Sequence, residues 1–227
     1  MDAALELTER EGAGALTVRR LGRELGVDAT AFYRHFRDKD ELVLAVSDRI
    51  IAMTLDAVVE SDDWRDTLRS ITSASNATNL RYPAVTSITF ARITGGPAER
   101  VMVEKILATI SRAGLSPADT ALYYRAFVDA MLSLTGQAAA VANLEPAVRA
   151  KDESAWTQIY GVLSQSDYPV TSAHAKELVA LSEQEVFEAV IEAVIEAIAA
   201  RAAETSPQPA IRRSRPNKPV PHEKNPN

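Results

Sequence analysis

The chain has 227 residues, 46% of them apolar and 25% charged, enough for one large globular domain or two modest ones. Its formal net charge of −6 excludes a polycation, so any contact with nucleic acid must come from a locally basic surface. The absence of cysteine excludes disulfide frameworks, thiolate zinc sites and cysteine nucleophiles together.

No apolar run approaches the roughly 20 residues of a membrane span. The start, Met1-Asp2-Ala3-Ala4-Leu5-Glu6, lacks the basic and apolar blocks of a secretion signal. A soluble, cytoplasmic protein is the expectation.

Apolar positions recur at three and four and no segment alternates, so the chain reads as all-α, with glycine and proline at the boundaries. A first helix is predicted from about Ala3 to Glu11, stopped by Gly12. Thr17 is placed to cap a short helix with Val18, Leu21 and Leu25 on one face, ended by Gly26. Asp28 caps the next, anchored by Phe32 and Phe36. Asp38 then opens a long helix from Lys39, with Leu42, Val46, Ile50, Met53 and Ala57 on one stripe. Further helices are expected near 64–80, 84–94, 97–113, 117–142, 154–164 and 183–203, while Glu145–Asp152 and Ser166–Ala173 read less clearly. From Thr205 onward the chain is proline-rich, poor in apolar residues and locally basic, a composition expected to stay disordered.

The informative segment runs from Thr17 to Phe36, TVRRLGRELGVDATAFYRHF. It reads as two short helices joined at Leu25-Gly26-Val27-Asp28, where Gly26 supplies the left-handed position such a turn commonly needs. Leu21, Leu25, Val27, Phe32 and Phe36 are expected to form the small core that fixes the crossing. That leaves Ala29, Thr30, Ala31, Tyr33, Arg34 and His35 on the outer side of the second helix, which a helix-turn-helix lays in the major groove. Arg34 can read guanine or hold phosphate, Thr30 and the methyls of Ala29 and Ala31 can touch thymine methyls, and Asp28 sits at that helix's N-terminus. Thr17, Val18, Arg19, Arg20, Tyr33 and Lys39 complete the candidate DNA surface. Between Thr17 and Lys39 six cations stand against three anions, opposite in sign to the whole chain.

The run LTVRRLGRELGVDATAFYRHFRDKDELVL, Leu16 to Leu44, closely resembles the N-terminal domain of TetR-family regulators. The resemblance implies a three-helix helix-turn-helix domain, with Thr17, Arg19, Thr30, Tyr33, His35 and Lys39 at the positions where that family contacts DNA. It departs in one place: the family usually carries a longer, often basic lead before its first helix. Either the contacts of that arm are absent here or the start lies upstream.

By the same resemblance the rest of the chain is expected to be a helical ligand-binding and dimerisation domain. The domains are then 1–48, 49–204 and a tail over 205–227. Segments 117–142 and 183–203 are apolar around more than one face, so they are expected to bury themselves against a second subunit. Ala126, Ala130, Ala189 and Ala193 would let the helices approach closely across a homodimer. Trp64, Asn76, Asn79, Tyr82, Thr86, Phe90, Met102, Ile106, Tyr123, Tyr124 and Phe127 are candidates to line a pocket for a small hydrophobic or aromatic inducer.

Other classes fit poorly. Gly12-Ala13-Gly14 follows no strand, Gly95-Gly96 precedes no Lys-Ser or Lys-Thr, and His174 to Glu177 is a single His-x-x-Glu pair. Neither an enzyme, a cofactor nor a metal is expected. A helical adaptor without DNA binding is the remaining rival, separable by salt-dependent affinity for promoter DNA.

Overall fold

The computed structural model describes residues 1–26 and 36–205, all helix, turn and loop with no strand among them. Helix α1 spans Asp2–Glu11 and is followed by a 3-10 turn at Ala13–Ala15 and by α2, Val18–Leu25. The hydroxyl of Thr17 accepts from the Arg20 amide at 3.2 Å, and Gly26 closes α2 at φ 64°, ψ 26°, where a side chain would be strained. Helix α3, Lys39–Ala57, starts where Asp38 Oδ1 accepts from the Glu41 amide at 2.9 Å.

The body comprises α4 (Trp64–Arg81), α5 (Pro83–Thr89), α6 (Pro97–Ser111), α7 (Pro117–Ala142), α8 (Pro146–Ile159), a 3-10 turn (Tyr160–Val162), α9 (Pro169–Ala180) and α10 (Glu183–Thr205). Five of these helices begin on a proline, whose fixed φ suits the first turn and whose missing N–H costs nothing there. This corrects two readings. The predicted helix at 154–164 is α8, which starts at Pro146, and the unclear stretch around 166–173 contains the start of α9 at Pro169. The predicted 84–94 helix stops at Thr89, because the chain must turn through Gly95 (φ 65°) to enter α6.

Two hydrophobic cores result. The first joins Leu5, Leu16, Val18 and Leu21 to Leu42, Val43, Val46 and Ile50 of α3, and closes with Tyr82 and Val85 from the body. Phe36 and Met53 pack at its edge. Leu25, expected in this core, is 49% exposed because it ends α2 beside the turn; Ala57, the last residue of α3, is exposed too. The second core gathers Leu68 and Ile71 of α4, Ile106 and Ile110 of α6, Phe127 and Met131 of α7, and Phe187, Ile191, Ile195 and Ile198 of α10. Arg69 clips α4 to α10 with two bonds to Glu192, 2.7 and 2.8 Å, and holds that carboxyl below its ordinary range.

Helices α8 and α9 differ from the rest. Together they bury only Ala175, and with the intervening turn they pack chiefly against one another.

Candidate nucleic-acid interface and regulatory cavity

Of the candidate DNA-contacting residues, Asp28, Ala29, Thr30, Ala31, Tyr33, Arg34 and His35 lie outside the described residues, as do Val27 and Phe32. Arg19 and Lys39 are exposed, and Thr17 is half-buried with its hydroxyl occupied as a cap. Val18 is a core residue, 5% exposed, because it occupies the inward face of α2. Arg20 is spoken for: it binds Glu11 through Nε and Nη2 and Glu24 through Nη1 at 2.7 Å, while Arg10 holds the other oxygen of Glu24 at 2.7 Å. Both carboxyls are held below their ordinary range, Glu11 by Arg20 and Glu24 by Arg10 and Arg20. The network ties α1 to α2 and removes Arg20 from the free cations. Exposed Arg23 and Arg37 flank the same region and were not singled out by the sequence, although Arg37 leans on Glu41 at 3.4 Å. Thr17→Ala is expected to lower stability by about 1 kcal/mol, the usual worth of such a cap, measured by urea unfolding.

Helix α3 leads from this head into the body, where one carboxylate fastens it. Asp48 is 9% exposed, and it reaches the N-terminus of α6. There Oδ1 accepts from the Glu99 amide (2.9 Å) and the Thr94 hydroxyl (3.1 Å), and Oδ2 from the Ala98 amide (3.2 Å). It therefore caps a helix from which it is separated by some fifty residues, where free N–H groups and the helix dipole favour an anion. Gly96 makes the approach possible: a Cβ there would stand 2.2 Å from the Asp48 carboxyl carbon. Three further bonds join α3 to the 89–94 segment, Ser47 Oγ to Thr89 Oγ1 at 3.2 Å and Arg92 to both oxygens of Asp40 at 2.8 and 2.7 Å. The Arg92 guanidinium holds the Asp40 carboxyl below its ordinary range, and Asp40 in turn raises Arg92.

Directly behind this seam lies a cavity of about 90 Å³. Ser47, Ile51 and Thr54 of α3 form one wall, and Thr89, Phe90, Arg92 and Thr94 form another. Helices α4, α6 and α7 supply Ser75 and Asn79, Met102, Val103 and Ile106, and Tyr124, Val128, Met131 and Leu132. Tyr124 borders the cavity, and burial raises its phenol above the ordinary range. Asn79 is held from both sides: its Nδ2 donates to Ser75 O at 2.9 Å and its Oδ1 accepts from Thr86 Oγ1 at 3.1 Å.

Of the eleven pocket candidates, Asn79, Phe90, Met102, Ile106 and Tyr124 border this cavity. The others lie elsewhere. Trp64 and Phe127 are in the second core with Tyr123 against it, Tyr82 is in the first core, and Thr86 backs Asn79. Asn76 joins α4 to α7 and α10, accepting from Thr135 Oγ1 at 3.3 Å and donating to Gln184 at 3.5 Å. The α3 side of the wall, Ser47, Ile51 and Thr54, was missed along with Asp48. The available signal was a carboxylate with Leu44, Ala45, Ile51 and Ala52 as its helical neighbours, on an otherwise apolar face.

A three-stage layout emerges: a small N-terminal helical head, a connector helix fastened at both ends, and a helical body enclosing a cavity beside the connector. It is the layout of bacterial regulatory proteins, a class that two family models establish. The family model described as bacterial regulatory proteins, tetR family, matches residues 1–46, and that described as tetracyclin repressor-like, C-terminal domain, matches 59–202. The chain belongs to the TetR family.

Among curated proteins it is 31% identical over 132 residues to the HTH-type transcriptional repressor Rv1353c of Mycobacterium tuberculosis, covering 56% of this chain and 51% of the relative. It is 35% identical over 96 residues to the class A tetracycline repressor from transposon 1721 of Escherichia coli, covering 41% and 42%. The chain thus spans about half the length of the curated relatives it matches. In fold it is similar to ActR of Streptomyces coelicolor crystallised with actinorhodin, at TM-score 0.77 and 21% identity over 88% of this chain and 95% of that one. SCO7222, a TetR from the same organism, gives 0.72 and 23% over 88% and 96%.

Proposed function

We propose that the chain is a sequence-specific DNA-binding repressor that acts as a homodimer on a palindromic operator and releases it when a small molecule fills the cavity. The observation that carries this reading is the double role of α3. One side of it holds the head's core through Leu42, Val46 and Ile50; another walls the cavity through Ser47, Ile51 and Thr54. A ligand that moves the cavity wall moves the head, and it favours release to the extent that it binds the displaced state better. That ActR was solved with actinorhodin supports a small-molecule role for such a body.

The homodimer rests on the outer faces of α7 and α10. Leu122 (63%), Val141 (42%) and Val186 (38%) are exposed, as are Ala126, Ala189 and Ala193. Pairing these faces across a twofold gives a four-helix interface, and the exposed Trp156 and Ile159 of α8 are of the kind a second subunit covers. Two heads set about one DNA turn apart, roughly 34–36 Å, match a palindrome. Residues 1–48 form the DNA-reading unit, 49–204 the sensing and pairing unit, and 205–227 a basic tail.

The test is fluorescence anisotropy with the protein's own upstream intergenic DNA against a scrambled duplex at fixed salt. A preference of about 10³ or more is expected. Tyr33→Ala should abolish the preference while light scattering still gives a dimer mass. Equal binding to both duplexes, or normal binding by the variant, would overturn the docking.

A further inference from the structure

We infer that the cavity accepts an aromatic acid, a molecule with an aromatic body and a carboxylate, and that its anionic end takes Arg92 away from Asp40. This rests on the reading of the body as a ligand sensor and deepens it by assigning the ligand class and the trigger.

The walls specify an aromatic body. Phe90 and Tyr124 offer rings, and Met102 and Met131 offer polarizable thioethers that suit an aromatic edge. Charge specifies the end group. Among the described residues bordering the cavity, Arg92 is the one cation and Glu99 the one anion. Glu99 is already occupied, accepting from the amides of Thr94 (3.3 Å) and Gly95 (2.6 Å). The Arg92 guanidinium is matched to a carboxylate in a forked, two-bond geometry, and the carboxylate that now fills the fork is Asp40 on the first turn of α3. An incoming carboxylate reproduces the same two bonds, so the exchange loses none.

Size makes the exchange necessary. A drug-sized ligand needs a cavity of about 300–1,000 Å³, whereas this one measures about 90 Å³. Filling it means moving a wall. Helices α6 and α7 are held in the second core by Ile106, Ile110, Phe127 and Met131, but the segment from Phe90 to Gly96 lies between helices and is pinned to α3 at its start by a solvent-exposed ion pair. Screening makes that pair weaker than the buried Asp48 clasp. The ligand's carboxylate thus opens the weaker fastening, and Asp40, next in the chain to Lys39, carries the change to the edge of the DNA-reading head.

Calorimetry of the full chain with matched probes tests this: 2-naphthoate against 2-naphthamide, and anthracene-2-carboxylate against its carboxamide. At least one acid is expected to bind about tenfold or more tighter than its amide, the worth of one charge-assisted pair. Arg92→Gln should erase that difference and Arg92→Lys should keep part of it. Asp40→Asn, which removes the competing carboxylate, should tighten the acid about threefold or more and leave the amide unchanged, a gain that no merely structural role for the pair produces. Circular dichroism of each variant establishes that it is folded. Equal binding of acid and amide, binding of neither, or a preference that survives Arg92→Gln overturns the assignment. Preference for upstream DNA is scored separately: retained DNA preference without acid discrimination removes only the ligand class, whereas acid discrimination without DNA preference removes the repressor reading and leaves the site.

Discussion

Asp48→Ala is expected to lower the unfolding free energy by about 2–4 kcal/mol, the sum of a lost helix cap and of buried donors left without partners. Few exchanges of a polar residue in this chain should cost as much. Three donors converge on this carboxylate, the amides of Ala98 and Glu99 and the hydroxyl of Thr94, and the residue is 9% exposed, so water does not replace it easily. Asp48→Asn keeps one acceptor oxygen but turns an amide toward a donor, and should fall about midway. Urea unfolding of the three proteins gives the ranking. A loss under about 0.5 kcal/mol for the alanine variant, the size of an ordinary surface change, would show that α6 needs no cap from α3. If the proposed function holds, the same variant should also bind DNA more weakly than the native chain, because α3 then keeps only its apolar packing and the Ser47 and Asp40 bonds to the body.

The second large effect is expected at Gly136. A Cβ there would lie 2.3 Å from Cγ of Phe90 and 2.6 Å from both Cδ atoms, so α7 and the end of α5 touch ring to backbone. In an isolated helix Gly→Ala gains about 1 kcal/mol, but overpacking of this degree costs about 1–3 kcal/mol. A net loss of about 1–2 kcal/mol is therefore expected for Gly136→Ala. Phe90 borders the cavity, so a ring displaced toward it should also shrink that space. Adding Phe90→Leu should recover about 1 kcal/mol in a double-mutant cycle. If Gly136→Ala instead stabilises the chain, Phe90 yields freely and the contact is not a constraint.

Local signals carried most of the fold. Thr17, Gly26 and Asp38 end or begin helices for reasons confined to three or four neighbouring residues, and each does so in the structure. Prolines were legible as boundaries but not always as beginnings: Pro146 and Pro169 each open a helix that the sequence reading began too late or left unclear. The cavity was less legible. Helical periodicity says that Phe127 and Phe90 both point inward, yet one meets other side chains on every side and the other borders space. That difference is set by which helices cross, and no window of sequence contains it. The clasp was invisible for the same reason, since Asp48 and Gly96 are joined only by the fold.

The first core has a consequence for how such proteins can be recombined. A cut after residue 48 would strip Ile50, Tyr82 and Val85 from the hydrophobic cluster on which α1 and α2 close. Head and body are thus not interchangeable modules. A chimera that grafts a foreign head onto this body inherits a socket shaped for Leu5, Leu16, Val18 and Leu21. It will fold well only if the graft carries matching side chains, or if Tyr82 and Val85 are redesigned along with it.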